Sequence, residues 1–119
     1  IKKSHSIFNW RLFMLRKVVH TVKGFCTQDG AGVSLVRVLG FQTTKIYDPF
    51  LMLDAFDSTD PDDYMAGFPM HSHRGLETFS FFSKGIMVHE DYLGTKATIY
   101  DGEAQWLTAG SGAFLSRGN

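Results

Sequence analysis

Apolar and polar residues alternate along most of the chain in short runs that end at glycine. VSLVRVLG (33–40) places Val33, Leu35, Arg37 and Leu39 on one side of an extended segment and Ser34, Val36 and Val38 on the other. That two-residue period is the mark of a strand with two different faces. RKVVHTV (16–22) and ETFSFF (77–82) alternate in the same way, whereas FLMLDAF (50–56) is almost continuously apolar and reads as a buried strand. IMVHED (86–91), KATIYDG (96–102), QWLTAG (105–110) and GAFLS (112–116) complete the series, punctuated by Gly85, Gly94, Gly102, Gly110 and Gly112. Short strands at this spacing predict an all-β sandwich or barrel. Trp106, inside one alternating run, is expected in the core with the phenylalanines.

Two stretches interrupt the pattern. DSTDPDDYMAG (57–67) carries four aspartates, a proline and a closing glycine, and reads as a surface loop. It lacks the D-x-[DN]-x-[DN]-G order of a calcium loop. AGSGAF (109–114) is rich in glycine, but no Lys-Ser/Thr pair and no helical pattern follow it, so its glycines are turn residues rather than a phosphate cradle.

Charge refines the picture. The 119 residues balance twelve Lys and Arg against twelve Asp and Glu. Residues 1–28 hold six of the basic residues and no acid, which leaves six basic and all twelve acidic residues for 29–119. An acidic body is not expected to bind nucleic acid directly through bulk charge. The basic, acid-free start is expected to be a disordered leader over 1–13, with the folded domain over 14–119 from Met14 onward. No apolar run approaches the roughly 18 residues of a membrane span, so no membrane partner is expected. The single cysteine, Cys26, rules out an internal disulfide and a cysteine-based zinc site.

The chemistry-bearing stretch is FPMHSHRGLETFSFF (68–82). His71 and His73 stand two apart, so on a strand they share a face and their rings can converge on one metal ion. If the strand ran on unbroken, Glu77 would join that face, and two histidines with one carboxylate form the facial triad of non-haem iron enzymes. Histidines at this spacing also occur on solvated strands, so spacing alone leaves both readings open. His89, in VHED, reads as a surface or hydrogen-bonded histidine, and His5 and His20 receive no role.

The blocks YDPFLMLDAF (47–56), GFPMHSHRGLETFSFFSKG (67–85) and VHEDYLGTKATIYDGEAQWLTAGSG (88–112) resemble, in order and spacing, the N-terminal cupin domain of the pirin family. The resemblance runs from about Arg16 to Gly112. It implies an all-β cupin, a double-stranded β-helix or jelly-roll barrel holding one iron at its mouth, here incomplete at its C-terminal side. In the family two ligands come from the H-x-H block, which falls on His71 and His73, and a histidine and a glutamate two apart follow the Trp-x-Thr-Ala-Gly-x-Gly block. Those last two places fall on Leu115 and Arg117, neither of which offers a lone pair. Glu77 is not among the family's four ligands.

The resemblance therefore implies one of three roles. The first is quercetin 2,3-dioxygenase-type chemistry on a flavonol-like small molecule. The second is a non-enzymatic co-regulator that binds a transcription factor, in cytoplasm or nucleus. The third is an inactive fragment.

Overall fold

The computed structural model describes residues 16–118. The expected leader over 1–13, His5 and Met14 lie outside the described residues. Among the described residues nine strands form: β1 Phe25–Asp29, β2 Val33–Leu39, β3 Leu53–Ala55, β4 Phe68–His73, β5 Glu77–Phe81, β6 Met87–Asp91, β7 Lys96–Ile99, β8 Ala104–Thr108 and β9 Ala113–Gly118. Two single helical turns interrupt them, α1 Thr44–Tyr47 and α2 Pro61–Tyr64. A 3-10 turn, Phe41–Thr43, precedes α1.

The pairing is nested. Strand β4 pairs with β9, β5 with β8 and β6 with β7, all antiparallel. A further pairing of β6 with β9 yields one sheet in the order β4-β9-β6-β7, while β5-β8 forms a second. Nested antiparallel pairs divided between two sheets are the wrapping of a jelly roll. A third sheet, β1-β2-β3, comes from the N-terminal part of the described chain. The mostly-β architecture read from the sequence is borne out, and among the described residues the three sheets do not close into one barrel.

The step between the two jelly-roll sheets is a corner in a double ribbon. The chain leaves β4 and enters β5 through Arg74–Leu76, and it leaves β8 and enters β9 through Ala109–Gly112. The two turns are tied together: Gly75 N–H donates to Gly110 O at 2.8 Å, and Ala109 N–H donates to Leu76 O at 3.0 Å. Gly75 and Gly110 have φ of 66° and 50°, the left-handed region that an L-residue with a Cβ enters at a cost of about 1–2 kcal/mol.

The core follows the β2 prediction. Val33, Leu35 and Leu39 are buried, and Arg37 on the same face is half-buried. Arg37 is held from two sides, donating to Asp54 from Nε (2.9 Å) and Nη2 (2.8 Å) and to Asp29 from Nη2 (2.6 Å). These bonds hold its guanidinium pKa above the usual arginine range. Met87, Ile99, Ala109 and Leu115 form the jelly-roll part of the core.

Four expectations are corrected. Residues 16–22 form no strand, and Val18 and Val19 are exposed, because alternation forms a strand only where a neighbour completes its ladder. FLMLDAF is not a buried strand. Only Leu53–Ala55 pairs, at the edge of its sheet, and Phe50, Leu51, Met52, Leu53 and Phe56 are all exposed. The acidic loop contains α2, whose first turn is capped by Asp60 accepting from Asp62 N–H at 3.1 Å.

Trp106 is the fourth correction. It is 69% exposed, on the outward face of β8. There it meets its cross-strand partner Phe79 edge-on at 5.8 Å, and its Nε1–H donates to Glu77 Oε2 at 3.0 Å. Trp106→Ala should therefore cost only about 1–2 kcal/mol, from one aromatic pair and one surface hydrogen bond. A urea titration checks this, and a loss of 3 kcal/mol or more would return the ring to the core.

Gly67 ties the acidic loop to β9. Its φ is 63°, and a Cβ there would stand 2.9 Å from the backbone oxygen of Arg117. Gly85, with φ of 109°, has nothing within 4 Å of its would-be Cβ. Gly67→Ala should thus destabilise the chain clearly more than Gly85→Ala, which carries backbone strain of about 1–2 kcal/mol alone. Equal shifts in thermal melting for the two variants would contradict the close approach.

Candidate metal site

β4 carries the histidine pair because its inward positions alternate, with His71 and His73 half-buried and Ser72 between them exposed. The register sets what faces them. His71 lies opposite Leu115 and His73 opposite Ala113 on β9. On the other side of β9, His89 of β6 lies opposite Arg117. Cross-strand partners share a face, so His71, His73, Leu115, Arg117 and His89 all point to one side of the sheet.

Within the pair, the two Nε2 atoms are 2.9 Å apart. His71 Nδ1–H donates to the Pro69 carbonyl at 2.8 Å. A carbonyl only accepts, so Nδ1 carries the proton and the neutral ring keeps its lone pair on Nε2. His73 Nε2–H then donates to that lone pair. A backbone carbonyl fixing the outer nitrogen is the usual support of a metal-bound histidine. With metal–nitrogen bonds of about 2.1 Å, nitrogens this far apart subtend an angle of about 90°, as two adjacent ligands would.

The rest of the shell does not fit a metal. Leu115 is completely buried and has no donor atom. Arg117 brings a cation, and its Nη1 and Nη2 donate to Ser80 Oγ (3.2 Å) and Thr78 Oγ1 (3.1 Å) across the gap to β5. Among the described residues no three of His, Cys, Asp and Glu gather closely enough to hold a metal. The residues present therefore supply two nitrogens of a centre, not a complete one.

Glu77 does not continue the face of the histidines. The corner at Gly75 breaks the strand, and beyond it Thr78 and Ser80 point inward while Glu77 and Phe79 point out. The Glu77 carboxylate is occupied on the outer surface, accepting from Trp106 Nε1–H and from Thr108 Oγ1–H at 3.2 Å.

His89 is the residue that the sequence reading missed. It is 4% exposed rather than on the surface, and its Nδ1 has no partner. The signal was present: Met87 and His89 occupy alternate positions of IMVHED, so a buried Met87 brings His89 inward. Burial first, and the Arg117 charge second, hold the His89 pKa below that of a free histidine, with Asp91 opposing. His73 is lowered by burial, by His71 and by Arg117.

A jelly roll with an inward His-x-His arm beside the strand that follows its glycine corner is a cupin. The family model described as Pirin matches residues 32–118, and the chain belongs to the pirin family. It is 50% identical over 101 residues to a Pseudomonas aeruginosa protein that carries the provisional name quercetin 2,3-dioxygenase, covering 85% of this chain and 35% of that one. It is 48% identical over 98 residues to a pirin-like protein of Caulobacter vibrioides, covering 82% and 36%. Pirin of Homo sapiens is 39% identical over 98 residues, covering 82% and 32%. The crystal structure of quercetin 2,3-dioxygenase from Acinetobacter baumannii superposes with a TM-score of 0.68 at 29% identity, covering 82% of this chain and 35% of that one. The chain spans about a third of the length of these relatives.

Buried His89 and half-buried His73, both with lowered pKa, set a pH dependence. Both are more easily protonated in the unfolded chain, so stability is full above a pH of about 6.5 and falls as pH drops through that value. Melting temperature should decline from pH 7 to pH 5.5, above the range where carboxylates titrate. His89→Gln should flatten that decline. A wild-type profile that is level over this interval contradicts the burial of both rings.

Proposed function

We propose that this chain is a pirin-type cupin lobe whose quercetin 2,3-dioxygenase-like metal centre is disabled, so that it works by binding rather than by turnover. The observation that carries this reading is the register pair His71–Leu115, with Arg117 two residues further along the same face. His71 and His73 keep the geometry of two adjacent ligands, while the two remaining places of the family's shell hold an alkyl group and a cation. Iron or another divalent metal would meet two neutral nitrogens and a guanidinium that repels it in a partly desolvated site. Weak metal binding follows, and a flavonol would be bound without being oxidised.

A second reading, a protein-interaction module of the transcription co-regulator kind, is favoured by the outward face of β5 and β8. There Phe79, Phe81 and Trp106 are 64%, 61% and 69% exposed. Clustered exposed aromatics of this kind are common at protein–protein contacts.

The test is anaerobic titration with Fe(II), followed by calorimetry, on the original chain and on the double variant Leu115→His, Arg117→Glu. The double variant restores one neutral nitrogen and one anionic oxygen. Its iron affinity should rise at least about 100-fold, more than single outer-sphere changes usually bring. If the original chain already binds one iron tightly and His71→Ala abolishes it, the centre is intact and the proposal is wrong.

A further inference from the structure

The two arginines that point inward from the sheets are treated differently. Arg37 is matched by Asp29 and Asp54. Arg117 makes no ion pair among the described residues, and its only hydrogen-bond acceptors are the neutral hydroxyls of Thr78 and Ser80. Its Nε–H is buried without a partner. Directly opposite on β6, His89 is only 4% exposed, and its Nδ1 is also without a partner. Two orphaned nitrogens thus stand on neighbouring strands, on one face, beside one uncompensated positive charge.

Among the described residues no carboxylate is paired with that charge. Asp91, two residues from His89, has its Oδ1 engaged by the backbone N–H groups of Leu93 and Thr95 at 2.9 Å each. Glu77 is occupied on the outer face by Trp106 and Thr108. The surroundings are otherwise apolar: Leu115 flanks Arg117 on β9, and Met87 and Ile99, a buried cross-strand pair, flank His89.

We propose that Arg117 and His89 form a binding site for a small carboxylate with an apolar body, one oxygen accepting from Arg117 Nε–H and the other from His89 Nδ1–H. With Nη1 and Nη2 already donating to Ser80 and Thr78, Nε–H is the guanidinium donor left without an acceptor, and a charge-assisted bond to a carboxylate would satisfy it. A buried cation with an unused donor attracts an anion and repels a cation, and the buried alkyl groups of Leu115, Met87 and Ile99 make the surroundings apolar. The site uses neither His71 nor His73 and requires no metal, although Arg117 stands at one of the ligand places of the pirin pattern, so it rests on the reading of that place given above.

The experiment is a titration of the full chain, in the presence of a chelator, with benzoate and with its neutral counterpart benzamide. The readout is the Arg117 Nε–H resonance in proton–nitrogen NMR spectra of the wild-type chain, assigned by through-bond correlation along its own side chain. Benzoate should shift that resonance saturably, and benzamide should bind at least about tenfold more weakly. Arg117→Lys, which keeps the charge without the Nε–H donor, should weaken benzoate binding, and Arg117→Gln should abolish it. The wild-type resonance serves even if a variant fails to fold. An unmoved Arg117 resonance, an equal response to benzamide, or a folded Arg117→Gln chain that binds benzoate as tightly would each overturn the proposal. Because the chelator removes metal, failure here leaves the reading of the His71–His73 arm untouched.

Discussion

Leu115 is the one side chain among the described residues with no exposed surface, and the strand that carries it joins β4 to β6. Complete burial of a leucine contributes about 1.5–3 kcal/mol, a large share of what holds a small sheet together. The same residue stands at a place where the pirin pattern has a metal ligand. The centre of the sheet is therefore held by packing where a histidine would have left a polar ring to be satisfied. The stability of the seam and the incompleteness of the metal shell have one physical cause.

Most of the jelly roll was legible because period-two alternation survives wherever a strand has a neighbour on each side or a buried face. β2, β6 and β9 read correctly for that reason. The reading failed where tertiary context decides. FLMLDAF has the composition of a buried strand and lies at an exposed sheet edge. Trp106 has the expected alternation, but alternation says only that two faces differ, not which one is covered. The shared face of His71 and His73 was legible from their spacing. The position of Glu77 was not, because a single glycine corner reverses which side chains point inward, and Gly75 gives no sign in the sequence of how sharply it bends. His89 was legible in principle, through Met87, and was misread because its acidic neighbours suggested a surface.

The corner at Gly75 and Gly110 also explains why polar groups collect inside. By folding the double ribbon back on itself, it places Thr78 and Ser80 of β5 across from Arg117 of β9. A guanidinium is weakly hydrated and long enough to bridge two sheets. The two hydroxyls offset part of the cost of burying it and orient it, and burial still lowers its pKa. The bridge is thus both a link between the sheets and an unbalanced charge.

The contrast with Arg37 gives that imbalance its meaning. Both arginines extend from inward strand positions, and each is hydrogen-bonded across to another strand. Arg37 meets two carboxylates, which raise its pKa and close the electrostatic account of the β1-β2-β3 sheet. Arg117 meets only dipoles, and burial first, then its charge, lower the pKa of the histidine opposite it. A structural arginine gains most when its counter-ion is built into the fold, as at Arg37. Where the fold supplies acceptors but withholds the anion, the positive field remains available to whatever enters from outside. The inner face of β9 is therefore better suited to an anionic ligand than to the divalent cation that the two histidines alone would suggest.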